Sequence, residues 1–171
     1  MASIDFAALK KPLSADDPCG PDLDIDFDDD YMNFVANIEG LLPTSFFEEG
    51  TGAPYVIDPA ILKVDDQLAK IVELSGRTRD IRLLTLMARL FALSRDIGGF
   101  TRSLETIVGL LEDNWDAVHP RAENGKFVMR AATLGTLDEP TVVFSLQYSR
   151  LCETRRSGPV NLRAFLYALR E

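Results

Sequence analysis

At 171 residues, with 46% apolar and 26% charged residues, the chain has the size and composition of one ordinary globular domain, which excludes wholesale disorder. Its net charge of −9 is lopsided: residues 1–58 hold 13 Asp and Glu against only Lys10 and Lys11, whereas residues 59–171 hold 14 acidic and 16 basic residues. An acidic first third and a balanced remainder offer no basic stripe, so nucleic acid is not an expected partner.

No apolar run approaches the ~20 residues of a membrane span. The opening MASIDFAALKKPLS lacks the charged, apolar and cleavage regions of an export signal. These features lead us to expect a cytoplasmic domain without membrane insertion. Cys19 and Cys152 form neither a disulfide framework nor a C-x-x-C pair, and are expected to be reduced, at least partly buried thiols.

In chain order, Ile4, Phe6 and Leu9 form a short apolar segment available for docking. Pro12, Pro18 and Pro21 with Gly20 then exclude a regular helix and predict an ordered, extended or turning arm. Tyr31, Phe34, Val35, Ile38 and Leu42 share one face of a helix over 28–42, with aspartates at its positive end. Residues 43–57 carry two prolines and two glycines and read as a mobile loop, anchored to the core by Phe46 and Phe47. Asp58-Pro59 signals a cap and first turn for a helix running to Gly76 through Ile61, Val64, Leu68, Ile71 and Val72.

The most apolar helix is expected over 78–97 and should be central, with Gly98-Gly99 breaking it. A further helix from about 100 to 115 carries Leu104, Ile107, Val108, Leu111 and a buried Trp115, and packs antiparallel to its neighbour. After a loop containing His119-Pro120, a helix is predicted over 125–137. The β-branched run Thr141–Leu146 predicts a strand over 142–147, and 151–156 a second extended segment before a Ser157-Gly158-Pro159 turn. Asn161 is placed to cap a last helix, 162–169, which stops so abruptly that a longer parent protein is expected. The fold class is therefore mainly α. We expect a bundle of about five to seven helices with a proline-rich N-terminal arm and a short β-hairpin near the C-terminus. One domain spans 1–171, with arm 1–27, helical core 28–140, and extended segment plus last helix 141–171.

Catalytic side chains are few. His119 is the only histidine: either a general base oriented by Asp116, or a loop-fixing residue that donates to a backbone carbonyl. The Asp22–Asp30 cluster fails the EF-hand register, since Phe27 or Asp29 stands where glycine is needed and Asn33 or Val35 where Glu is needed. Its alternatives are a weak cation site, or aspartates that charge the helix start while Leu23, Ile25 and Phe27 point inward. Gly98-Gly99 has neither the preceding strand nor the lysine of a phosphate loop. Arg77, Arg79, Asp80 and Arg82 read as a cap and ion-pair cluster. No enzyme, cofactor or metal site emerges. A hydrolase or metal-dependent enzyme built on His119 and Asp22–Asp30 is the competing reading.

Three blocks carry a resemblance. They are Pro12-Leu13-Ser14 through Pro18-Cys19-Gly20-Pro21-Asp22-Leu23; Arg79-Asp80-Ile81-Arg82 followed by Gly98-Gly99-Phe100; and Trp115-Asp116-Ala117-Val118-His119-Pro120 followed by Arg130, Leu134 and Leu137. In this order they resemble the ImpA-related N-terminal domain of TssA-type proteins of the bacterial type VI secretion system. The chain departs from that pattern at Val64-Asp65-Asp66, where the family often has tryptophan. The resemblance implies a non-catalytic assembly or scaffold module that binds baseplate, sheath and tube proteins during tail biogenesis, and a ring-forming C-terminal region that this chain lacks. It also implies that Pro12, Pro18, Gly20, Asp22, Leu23, Arg79, Asp80, Arg82, Gly99, Trp115, Asp116, His119, Pro120 and Arg130 are structural motif positions.

Overall fold

The computed structural model describes residues 4–54, 59–155 and 158–169. Its architecture is mainly helical with one small hairpin, as expected from the sequence. The centre is α5 (Ile81–Leu93), in which every side chain except Arg82 is buried. A helix apolar around nearly its whole circumference has to be covered on all sides. The covering comes from α4 (Val64–Ser75), α6 (Ile97–Asp113), α7 (Val128–Gly135) and α8 (Pro140–Gln147). Leu68, Ile71 and Leu74 of α4 and Ile107 and Leu110 of α6 supply much of that contact.

The central helix is shorter than the sequence pattern suggests. It begins at Ile81 because the Asp80 side chain accepts from the Arg82 amide and caps it, while Arg79 and Asp80 stay extended to pair with another segment. It ends at Leu93, not at the glycine pair, because Arg95 adopts φ 60° and Asp96 caps the next helix through the Gly99 amide. Gly98 and Gly99 therefore open α6. A Cβ on Gly99 would lie 2.3 Å from the Phe91 ring, so glycine there sets how closely α5 and α6 approach.

At the N-terminus, α1 (Phe6–Lys10) is capped by Asp5 and lies against α6. The arm that follows is ordered, with Cys19, Gly20 and Leu23 buried. Residues 23–27 form turns, not an alternating strand. Leu23 is inside, but Ile25 and Phe27 are 62% and 78% exposed, correcting the inward expectation; Phe27 also has φ 55°. α2 (Asp29–Leu41), capped by Asp28, buries Tyr31, Phe34 and Ile38. Phe46 is buried against Phe47, Phe144 and Tyr148, so the loop is anchored by aromatic contacts. The expected Asp58 cap lies outside the described residues. The single helix expected from 59 to 75 is divided into α3 (Pro59–Leu62) and α4 by Lys63 at φ 44°.

Beyond α6, α7 is shorter than the 125–137 prediction. It starts after a turn at Asn124-Gly125 and passes into a 3-10 turn, Thr136–Asp138. Residues 142–147 are helix, not strand: Pro140 starts α8, whose Thr141, Val142 and Ser145 form one buried face. The hairpin is formed by β1 (Arg150–Thr154) and β2 (Gly158–Asn161), antiparallel with Cys152 opposite Val160. Cys152 is exposed, contrary to expectation, whereas Cys19 is buried. Asn161 caps α9 (Leu162–Ala168) through the Ala164 amide.

Candidate functional site

Three stretches of the motif blocks, the proline arm to Leu23, Arg79–Arg82 and the loop at His119, are far apart in sequence and meet at the N-terminal end of α5. The Arg79 amide donates to Cys19 O (2.7 Å), the His119 amide to Arg79 O (3.0 Å), and the Ile81 amide to His119 O (2.9 Å). Asp80 and His119 thus pair as an isolated parallel bridge, and Thr78 Oγ1 ties Pro21 O at 2.7 Å. The proline arm is laced to the start of the central helix and to the loop after α6. Gly20, at φ 69°, is the tight point: a Cβ there would sit 2.6 Å from Arg77 O.

Within this backbone clasp lies a buried polar network. Arg82 reaches both carboxylate oxygens of Asp80 (3.0 and 2.8 Å from Nε), Asp24 Oδ2 (2.6 Å) and Asp22 Oδ1. Tyr31, 1% exposed, donates its hydroxyl to Asp80 Oδ2 at 3.1 Å, and the Arg82 guanidinium lies 5.6 Å from its ring centroid. Burial, with the Asp80 charge acting the same way, raises the Tyr31 phenol well above its ordinary value and keeps it a donor.

His119 is 1% exposed. Its Nε2 is 2.8 Å from Gly20 O, and its Nδ1 lies 3.2 Å from Asp22 Oδ2, a close charge contact short of an aligned hydrogen bond. Both ring nitrogens thus face acceptors, an arrangement that only the doubly protonated imidazolium satisfies. Burial opposes its charge, but the Asp22 carboxylate and the Gly20 carbonyl outweigh it and raise the His119 pKa. Asp22 behaves reciprocally: burial disfavours its ionisation, and His119 and Arg82 nevertheless hold it well below the usual carboxylate range. Asp116, the expected orienter of His119, is exposed; the carboxylate facing the ring is Asp22.

Two more arginines bind backbone. Arg79 donates from Nε to Lys11 O (2.8 Å), from Nη2 to Ala8 O (3.2 Å), and from Nη1 to Ser75 O, joining α1, the arm and α4. Arg130 donates to Pro120 O and Val118 O, both at 2.7 Å, and fixes the loop holding His119 and Pro120, whose peptide bond is cis. Trp115 is 47% exposed, so its expected burial is corrected. It rests on Phe127 (4.8 Å between ring centroids) and against Arg130 (4.9 Å) at the rim of the clasp. Pro12 is exposed, Pro18 half-buried, Leu23 in the core, and Gly99 is remote at the α5–α6 contact.

Tyr31 and Asp24 were not singled out in the sequence as partners of Arg82. Nor was Arg89, which is buried and bridges Glu39 (2.9 Å) and Glu139 (3.0 Å). An arginine inside the apolar run Leu86–Leu93 is the available signal for Arg89. Among the described residues, no group of three or more His, Cys, Asp or Glu is arranged to hold a metal ion, and no helix is long and apolar enough to cross a membrane. The side chains of the clasp are engaged mostly with one another and with the protein's own backbone, Arg130 Nη1 is buried without a hydrogen-bond partner, and the one imidazole is closed off from solvent.

Residues 10–139 match the family described as ImpA, N-terminal, type VI secretion system, and the chain belongs to that family. It is similar to the type VI secretion system component TssA1 of Pseudomonas aeruginosa, with 26% identity over 176 residues, covering 96% of this chain and 46% of that protein. The chain thus spans about half the length of the curated relative it matches. In fold it is similar to the N-terminal domain, including the conserved ImpA_N region, of the TssA component from Burkholderia cenocepacia. That match has a TM-score of 0.69 and 20% identity, and covers 99% of this chain and 60% of the other.

Proposed function

We propose that this domain is a non-catalytic assembly and scaffold element of the type VI secretion machine. It acts in the cytoplasm and engages baseplate, sheath and tube proteins as the tail is built, while ring formation belongs to a C-terminal region of the parent protein. Family membership supports the machine. The observation that carries the non-catalytic part is the state of His119, buried, with Gly20 O and Asp22 on its two ring nitrogens. A general base needs hydrogen-bond reach to a substrate proton, and this imidazole has none to give. Of the aspartates in the competing enzyme reading, four are engaged: Asp22 and Asp24 with Arg82, Asp28 as the α2 cap and with Arg77, and Asp30 with Lys70 and Arg77, whereas Asp26 and Asp29 are exposed.

The test is capture from a lysate of a bacterium assembling a type VI tail, with the domain as bait and mass spectrometry as the readout. Enrichment of sheath, tube or baseplate proteins over a bait carrying an unrelated helical domain is the expected result. Failure of both this chain and its full-length parent to recover any tail protein would overturn the proposal.

A further inference from the structure

Away from the clasp, α1, α4 and the α5–α6 corner enclose a cleft of about 510 Å³. Its apolar lining comes from Phe6, Leu68, Ala69, Val72 and Phe91, with the Phe6 and Phe91 ring centroids 6.3 Å apart. Its charged lining is Asp5, Asp65 and Asp96 against the single cation Arg102. Arg102 is turned to the wall: its guanidinium lies 5.2 Å from the Phe6 ring centroid, and its Nε donates to Gly98 O at 3.2 Å. Asp5 and Asp96 each use one oxygen to cap a helix, on the Ala8 amide (3.0 Å) and the Gly99 amide (2.9 Å), which fixes both carboxylates beside the cleft.

We infer that this cleft is a docking site for a polypeptide segment that places a large apolar side chain, aromatic or aliphatic, between lysines or arginines. The volume falls in the range of roughly 300–1,000 Å³ typical of sites that enclose compact apolar groups. An apolar anchor gains by leaving water, while the three carboxylates set the sign of its flanks: a basic segment is drawn in and an acidic one repelled. That the occupant is a polypeptide rests on the assembly reading; its charge and apolar character rest on the cleft itself.

The experiment is a methyl NMR titration of the 171-residue chain with three capped pentapeptides. One has tryptophan between two pairs of lysines, one has the same tryptophan between glutamates, and one has serine between lysines. The first should shift the Leu68 and Val72 methyl resonances, and the other two should bind at least about tenfold more weakly. Asp65→Lys should weaken the first peptide by about the same factor. Ala69→Trp, at an exposed α4 position that lines the cleft, should abolish the shifts with the fold intact. Equal binding of the lysine- and glutamate-flanked peptides, shifts confined to another surface, or equal binding by free indole would each overturn the inference. Tail proteins captured equally well by Ala69→Trp would refute the cleft and leave the assembly reading standing. Peptide binding without capture of any tail protein would do the reverse.

Discussion

In the clasp, Asp22, Asp80, Arg82 and His119 are enclosed, and each is held by groups from distant parts of the chain. In the described residues 150–155 and 158–169 the distribution is inverted. Leu151, Phe165, Leu166, Tyr167 and Leu169 stand 43–67% exposed, and the unit is held by its own hairpin register, the Asn161 cap and contact with α8. The contrast teaches that sensitivity to substitution here runs opposite to hydrophobicity. A buried ion-pair network stabilises little against a well-packed apolar substitute, but losing one member strands the others without solvent. An apolar side chain that is already half in water has little burial left to lose.

The sharpest way to break this comparison is Arg82→Ala. It leaves Asp80, whose side chain is 0% exposed, and Asp22 without their shared cation, and should cost about 3–5 kcal/mol in urea unfolding. A loss below about 1 kcal/mol would mean that water enters the clasp and that the two regions differ less than their burial suggests. Next comes Gly20→Ala, which strains the φ of 69° and drives a methyl to within 2.6 Å of Arg77 O and 2.8 Å of Leu13 Cδ1. The expected cost is about 1–3 kcal/mol. Limited proteolysis should then cut within 12–23, a segment the wild-type clasp protects.

The third test uses pH. The His119 pKa is raised in the folded protein, so its contribution is complete below the ordinary histidine value of about 6.5 and is lost as pH rises through the higher folded value. The Asp22 pKa is lowered, so its contribution is complete above about 4 and is lost as pH falls toward the folded value. Stability from the pair should therefore be greatest between about 4 and 6.5. His119→Gln should flatten the decline on the alkaline side and reduce the acid limb, which persists in part because Arg82 still lowers the Asp22 pKa. An unchanged alkaline slope in the variant would show that His119 is neutral in the clasp.

How far each region could be read in the sequence follows from the same physics. The long helices were legible because their apolar spacing is carried within one segment: Tyr31, Phe34 and Ile38, or Leu68, Ile71 and Leu74. α8 differs from the strand its sequence suggests because Thr141, Val142 and Val143 favour strands locally, whereas Pro140 at its first turn and the contact with α5 favour a helix that buries Thr141, Val142 and Ser145. The glycine pair misled for a related reason: Gly99 is set by the approach of Phe91, which no local pattern reveals. In the clasp, Asp80 as a cap was local and visible, whereas the pairing of His119 with Asp22 spans 97 positions and displaced the nearer Asp116. Trp115 was expected inside because tryptophan is large and apolar, yet its position after the end of α6 places it on Phe127 and Arg130 at the surface.

The smallest expected effect sharpens the other side of the comparison. Phe165 and Leu169 are 49% and 67% exposed, so replacing both with serine removes little buried area. The double variant should unfold within about 0.5 kcal/mol of wild type, with its melting temperature nearly unchanged. α9 is short and apolar around its circumference, and such a helix is retained only if something holds it. The Asn161 cap and the stacking of Arg163 over Tyr148 (5.5 Å) are the local restraints available. If the double substitution instead cost more than about 2 kcal/mol, α9 would belong to the cooperative core, and exposure would no longer distinguish the two ends. If stability is kept but α9 amides lose hydrogen-exchange protection ahead of those in α5, the C-terminal unit opens independently, and the clasp and central helix define the cooperative core.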